Sequence, residues 1–462
     1  MRLLVAEAMD RIVRYIETLP ERDAADTEGS VEVARSLKEP LPLKGEPFAD
    51  LLDVVFEKAL PKGFGTAGPG YLAYIPGGGL FHSAVADLIS DSLNRYVGVW
   101  AAAPGLVQLE ANVVRWFCEI AGYSKGSGGF FTTGGSLSNF SAVVTARRER
   151  LPENFLKGIL YTSDQTHHSV QKAALLAGFP PQNVRAIPAD AQFRIRIDLL
   201  REEIARDRSA GFTPFLVVGN AGTTNTGAVD DLEALADLCA EESLWLHVDG
   251  AYGGFFMLTE RGRAAMKGIS RADSITLDPH KGLFLPYGTG SLLVRDASTL
   301  GRAHGMDAHY LPSRPDEADD DLVDFSHISP ELSRAFRGLR VWLPFKLHGI
   351  GPFRENLDEK LDLTLWATEE LRKIPGIRIV AEPQLSLVAF QLERPGSTPD
   401  DIDRLTRALL AGSNARNRIH ITGTQLDGRF VARICVLSFR THAERMEQGL
   451  EDIRLAAAAL VA

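Results

Sequence analysis

The run DPHKG, Asp278 to Gly282, sets an acid, a histidine and a lysine side by side directly after the strand-like SITL of Ser274–Leu277. A lysine that needs only solvation belongs on a polar face. Lys281 is instead followed by Leu283, Phe284 and Leu285, and an amine that does chemistry needs such apolar walls, because desolvation favours the uncharged nucleophile. Other apolar runs also end in polar residues. GGFFTT leads into Gly134, Gly135 and Ser136 at a helix start, GILYTS into His167 and His168, FLVV into the threonine-rich NAGTTNTG with Thr224, and LWLHV into Asp249.

Each feature has an ordinary alternative. A Gly-Gly-Ser turn with a serine cap is common, threonines populate turns, and an aspartate at a strand end can cap a helix. Adjacent histidines have diverging side chains and no third ligand spaced to join them, so a metal site is a poor reading. Together the features share one explanation. A glycine-rich helix start offers free N–H groups and a positive dipole end to a phosphate. A buried carboxylate needs a partner, an imidazole can stack on a flat ring, and a lysine forms a Schiff base with an aldehyde. Pyridoxal phosphate asks for all of these, with the carboxylate keeping its pyridine nitrogen protonated so that the ring accepts electrons.

The elements that must position these residues follow from patterning. The 462 residues carry a formal net charge of −10, a length that suggests two or three domains and an acidic balance that argues against nucleic acid as a partner. Residues 1–80 read as a helical, proline-broken segment, expected to pack on a partner subunit or on the large domain. Residues 81–340 alternate helices with apolar strands that lack a polar alternate, which predicts a mainly parallel α/β sheet with ligands at the carboxyl ends of its strands. Residues 341–462 open on the long helix GPFRENLDEKLDLTLWATEELRKI and read as a smaller α+β domain. The acidic run Pro315–Asp324 reads as a solvated loop. Cys118, Cys239 and Cys435 lie far apart without metal spacing and read as buried thiols of a reducing compartment. The N-terminal MRLLVAEAMDRIVRYIETLP reads as an amphipathic helix and not a signal peptide, so the expected location is cytoplasmic, away from membranes.

GYLAYIPGGGLFHSAVADLISDSLNRYVGVWAAAPGLVQLEANVVRWF, TTGGSLSNFSAVVTARR, YTSDQTHHSV, NAGTTNTGAVDDL, WLHVDGAYGG and DPHK follow one another in this order. In this series the chain resembles the group II pyridoxal-phosphate decarboxylases of aromatic amino acids, histidine and glutamate. The resemblance covers roughly residues 65 to 345 well and the ends loosely. It implies an aspartate-aminotransferase-like fold (fold type I), a homodimer with shared active sites, and decarboxylation of an L-amino acid, aromatic by preference, to its amine.

Residue by residue, the resemblance implies that Lys281 binds the cofactor aldehyde and that Asp249 pairs with the pyridine nitrogen. Ala251 and His167 would pack on the two ring faces. Thr224 would lie near the ring oxygen. Gly135, Ser136 and His280 would bind the phosphate, and Asp278 would be a further residue at the cofactor, where a carboxylate does not welcome a phosphate. Tyr310 matches the tyrosine of the family's catalytic loop, which protonates the carbanion after carbon dioxide departs, and the acidic run behind it would belong to a lid. Tyr74, Ile75, Pro76 and Trp100 would line the side-chain pocket, Trp100 from the partner subunit; core packing is their ordinary alternative.

Three positions depart from the family pattern: Asp278 where asparagine is frequent, Gly282 where tryptophan is usual, and a glycine-rich IPGGG at Ile75–Gly79. Alternatives on the same scaffold are an aminotransferase with Arg440 gripping a substrate carboxylate, an aldehyde synthase and another carbon–carbon or carbon–sulfur lyase. A catalytically silent binding protein is the alternative of another class.

Overall fold

The apolar runs that end in polar residues become neighbours in one sheet. A computed structural model describes residues 1–306 and 322–461. The sheet strands are β1 (Gly128–Thr132), β2 (Gly158–Ser163), β3 (Val184–Ile187), β4 (Thr213–Asn220), β5 (Trp245–Asp249), β6 (Ser274–Leu277) and β7 (Gly290–Val294). They lie in the order β1-β7-β6-β5-β4-β2-β3. Strands β2 to β6 pair in parallel, and β7 runs antiparallel to both of its neighbours. Every residue of β2, β5, β6 and β7 is buried. That is why these runs lack a polar alternate: a strand covered on both faces has no wet side.

Parallel pairing puts the carboxyl ends of β2, β4, β5 and β6 at one edge, and β1 ends there too because it opposes β7. Register sets the level. Asn220 of β4 lies opposite Asp249 of β5, and Asp249 lies opposite Thr276 of β6. His247 lies opposite Ser274. The helix Gly135–Arg150 follows β1 and buries Ser138, Asn139, Ala142, Val143 and Ala146.

The described residues divide into two compact units. One holds Gly77–Asp362 with Ala381–Leu387, including the whole seven-stranded sheet. The other holds Met1–Pro76, Leu363–Val380 and Val388–Ala462. The sequence patterning divides the chain in three near 80 and 340, and compactness divides it in two. A second sheet comprises β8 (Ile377–Ala381), β9 (Leu387–Leu392), β10 (Thr422–Leu426) and β11 (Arg429–Cys435), in the order β8-β9-β11-β10. The β10–β11 hairpin turns on Asp427 and Gly428, both at positive φ, as a two-residue turn of the primed type requires. Leu371, Phe390, Ile434 and Leu450 sit in the core of this unit. The three cysteines are buried and free. Among the described residues no helix is long and apolar enough to cross a membrane.

Among the ion pairs of the described residues in the larger unit, that of Arg334 and Glu110 is fully buried. Arg334 Nη2 stands 2.5 Å from Glu110 Oε1, and both side chains are fully buried. Glu110 Oε2 accepts from the Gly338 N–H at 2.9 Å, and the guanidinium lies 4.6 Å from the Phe325 ring centre. Removing one member of such a pair strands the other charge away from water. Arg334→Met is therefore expected to cost about 3–5 kcal/mol in denaturant unfolding, and pairing it with Glu110→Leu should recover most of that loss.

Candidate active site

At the carboxyl edge of the large sheet lies a cavity of about 290 Å³. Gly134, Gly135 and Ser136 line it from the β1 end, and His167 and Ser169 from beyond β2. Thr224 and Asn220 enter from the β4 end, Asp249 and Ala251 from the β5 end. Asp278, His280 and Lys281 close it from the single helical turn Pro279–Gly282 that follows β6. Lys281 and Asp249 thus share one wall-to-wall space.

Asp249 is buried, and its donors are neutral. Asn139 Nδ2 donates to Oδ2 at 2.9 Å, and the Ala251 N–H donates to Oδ1 at 3.1 Å. A buried negative charge with only neutral donors lacks a counter-ion.

The donors form a directed chain. Trp245 Nε1–H donates to Ser274 Oγ at 2.8 Å, so the Ser274 hydroxyl is free to donate to His247 Nδ1, also at 2.8 Å. His247 then carries its proton on Nε2 and donates to Asn139 Oδ1 at 3.0 Å, which also accepts from Thr276 Oγ1 at 2.8 Å. The two Asn139 amide protons go to Asp249 and to Ser169 Oγ, the latter at 3.0 Å. The Ser169 hydroxyl donates to His167 Nδ1 at 2.8 Å, and the Ser169 N–H reaches the same atom at 3.3 Å. Neutral His167 therefore keeps its own proton on Nε2.

Burial lowers the pKa of His167. Burial also brings that of His247 down to about 4. Asp230, fully enclosed behind Asn220, is pushed up to about 6 by burial, while its Oδ2 accepts from the Asn220 N–H at 2.7 Å and from Asn220 Nδ2 at 2.8 Å.

On the opposite wall, Lys281 Nζ stands 3.2 Å from Asp278 Oδ2. His280 Nδ1–H donates to the Thr289 carbonyl at 2.6 Å, so Nδ1 is committed and Nε2 is not. Gly134 has φ +152°, and a Cβ on Gly135 would come within 3.0 Å of Asp278 Oδ2 and 3.1 Å of Ala251 Cβ. The glycines leave the helix start bare for a ligand.

These residues fit pyridoxal phosphate. The bare helix start suits a phosphate, the uncompensated Asp249 suits a protonated ring nitrogen, and the amine suits the aldehyde. All nine residues expected around the cofactor line the same cavity: Gly135, Ser136, His167, Thr224, Asp249, Ala251, Asp278, His280 and Lys281.

The remaining expectations fall elsewhere. Trp100 opens a short helical turn with its N–H on Asp324 Oδ1 at 2.5 Å and does not line this cavity. Tyr74, Ile75 and Pro76 belong to the smaller unit, where Tyr74 N–H donates to Thr422 Oγ1 at 3.2 Å. Arg440, in the same unit, donates to the Ala67 carbonyl at 3.2 Å and lies 4.3 Å from the Phe439 ring centre. Tyr310 lies outside the described residues.

Two departures from the family pattern have a packing cause. A Cβ on Gly282 would meet Phe255 Cβ at 2.7 Å, and one on Gly78 would meet Phe284 Cβ at 2.5 Å. Phe255 is fully buried, and Phe284 holds a left-handed φ of +62°. The nearest atoms are the Cβ of Phe255 and the Cβ, carbonyl oxygen and Cα of Phe284, so both glycines permit close approach of one chain segment to another.

Asn139, Ser169, His247 and Thr276 were not singled out from sequence. A signal existed for His247: it lies two positions before Asp249 on one strand, hence on the same face. Asn139 has no comparable signal, because its partners come from β5, β6 and the helix after β2.

An amine and an uncompensated carboxylate in one cavity, with a bare helix start between two strand ends, define a pyridoxal-phosphate enzyme on an aspartate-aminotransferase-like sheet. The family model described as pyridoxal-dependent decarboxylase conserved domain matches residues 32–393. The chain is 34% identical over 455 residues to an aromatic-L-amino-acid decarboxylase of Bacillus atrophaeus, covering 98% of this chain and 95% of that protein. It is 34% identical over 339 residues to a human cysteine sulfinic acid decarboxylase, covering 71% of this chain and 68% of that protein. The crystal structure of Catharanthus roseus tryptophan decarboxylase in complex with L-tryptophan superposes with a TM-score of 0.92 at 25% identity, covering 100% of this chain and 98% of that one. The chain belongs to the pyridoxal-dependent decarboxylase family. It is a pyridoxal-phosphate-dependent carboxy-lyase acting on an amino acid.

Two outcomes follow from the network. Asn139→Ala should cost about 1–3 kcal/mol for each buried group left unpaired and should loosen cofactor retention on gel filtration. His247 is buried neutral, while the unfolded chain protonates it at the ordinary histidine value of 6.5. Below that value the unfolded state binds the extra proton, so stability falls as pH drops below 6.5. Denaturant unfolding across that range should show the fall, and His247→Asn should remove its share.

Proposed function

We propose that this chain decarboxylates an aromatic L-amino acid, with Lys281, Asp249, His167 and Tyr310 as its catalytic residues. The observation that carries the reading is the single cavity walled by both Lys281 and Asp249. The substrate class is supported by the aromatic-L-amino-acid decarboxylase likeness along 98% of the chain.

When bound, pyridoxal phosphate supplies an aldehyde for an amine and a protonated ring that takes up the electrons left by carbon dioxide. Lys281 anchors that aldehyde through Nζ. Asp249 holds the ring-nitrogen proton, and Asn139 with the Ala251 N–H keeps the carboxylate in place. Gly135 and Ser136 bind the phosphate at the helix start, with His280 Nε2 beside them because Nδ1 is committed to Thr289. Thr224 holds the ring oxygen. His167 and Ala251 would pack on the ring, with the His167 proton on Nε2 because Ser169 occupies Nδ1. Tyr310, assigned from the sequence alone, gives its phenolic proton to the α-carbon. Tyr74, Ile75, Pro76 and Trp100 shape the pocket for the side chain in a homodimer, Trp100 across the subunit boundary.

Purified protein supplied with cofactor should release carbon dioxide and the matching amine from tryptophan, tyrosine, phenylalanine or 3,4-dihydroxyphenylalanine. A preference for cysteine sulfinate or glutamate would reject the aromatic reading. Borohydride reduction followed by peptide mass spectrometry should find the pyridoxyl group on Lys281, and Lys281→Ala should carry none. Tyr310→Phe should lower amine yield and divert product toward the aldehyde; an unchanged product ratio would remove Tyr310 as the acid.

A further inference from the structure

We propose that Asp278 competes with the cofactor phosphate for the start of the helix Gly135–Arg150 and thereby keeps the cofactor weakly held and exchangeable. The inference rests on the cofactor reading above.

Asp278 is 1% exposed. Its Oδ1 is buried and has no hydrogen-bond partner among the described residues. A buried carboxylate oxygen without a donor is costly, so something must offset it. Two groups stand near. Lys281 Nζ lies 3.2 Å from Oδ2, and His280 Nε2 lies 3.8 Å from the same atom. Neither serves Oδ1.

Oδ1 instead faces the backbone of Gly135 and Gly290 without a donor. A Cβ on Gly135, the first residue of that 16-residue helix, would lie 3.0 Å from Oδ2 and 3.4 Å from Oδ1. A Cβ on Gly290 would lie 2.7 Å from Oδ1. The carboxylate therefore presses against the end of the helix that bears the partial positive charge. That end is also the place where Gly135 and Ser136 would grip a phosphate. An Asp278 carboxylate and a phosphate are like charges, and at short range in a poorly solvated interior they repel. An amide at this position would keep the shape, remove the charge and offer an N–H to the phosphate.

The test is a titration of cofactor-free protein, followed by intrinsic tryptophan fluorescence, with three probes. Pyridoxal phosphate has both the phosphate and the aldehyde. 4′-Deoxypyridoxine phosphate lacks the aldehyde, and pyridoxal lacks the phosphate. Asp278→Asn should bind both phosphorylated probes at least about tenfold more tightly than the unsubstituted protein and bind pyridoxal within about twofold of it. Equal or weaker binding of the phosphorylated probes overturns the proposal. An equal gain for pyridoxal also overturns it, because the effect would then run through Lys281. Failure of both proteins to bind any probe would sink the cofactor reading itself, and this inference with it. Thermal melting establishes that the variant folds. Asp278→Ser, uncharged and smaller, carries the same expected gain if Asp278→Asn does not fold.

Discussion

A carboxylate buried at the end of a parallel strand is the constraint on which the site depends. Asp249 cannot be solvated there, and its partners in the protein are neutral N–H groups. Such a charge persists only if the groups around it are held rigidly in donor orientation. That requirement propagates outward from Asn139 through His247 and Ser274 to the indole of Trp245, and through Ser169 to His167. The same chain of donors that holds the acid also selects the tautomer of both histidines. One asparagine thus couples the group that would govern the ring nitrogen to the group that would cover the ring face.

The second wall answers to a different constraint, close approach. The turn after β6 carries Asp278, His280 and Lys281 against the start of the helix Gly135–Arg150, where a Cβ at position 135 would be tightly packed against Asp278 and Ala251. Packing behind the turn is equally tight. Phe255 occupies the room beside Gly282, and Phe284, in its left-handed conformation, occupies the room beside Gly78. Positions 78 and 284, about two hundred residues apart in sequence, therefore meet at backbone distance in the fold. Gly78 and the glycine after the lysine both allow segments distant in sequence to approach at the level of backbone and Cβ atoms.

Both walls are assembled by one sheet. Parallel strands send their carboxyl ends to one edge, and register then sets Asp249 level with Asn220 and Thr276. The antiparallel β7 inserts between β1 and β6 and brings Gly290 against Gly134. An antiparallel strand at that point supplies a short return from the lysine turn without a crossover helix.

The amino-acid sequence by itself determined the strand-and-helix alternation, the polar residues at strand ends and the lysine turn, because each is a local pattern: an unbroken apolar run, a glycine pair at a helix start, an acid where a buried strand stops. The residues those patterns singled out, Gly135, Ser136, His167, Thr224, Asp249, His280 and Lys281, line one cavity, and Ala251 and Asp278, expected from the family resemblance, line it too. What only the tertiary structure decided was the set of contacts between distant segments. Asn139, Ser169, His247 and Thr276 look like ordinary helix, loop and strand residues until register and helix placement bring them within hydrogen-bonding reach. The orphaned oxygen of Asp278 is of the same kind, since its environment is made by Gly135 and Gly290. Local chemistry is written residue by residue, whereas the partner of a buried polar group is chosen by packing among segments that the chain order keeps apart.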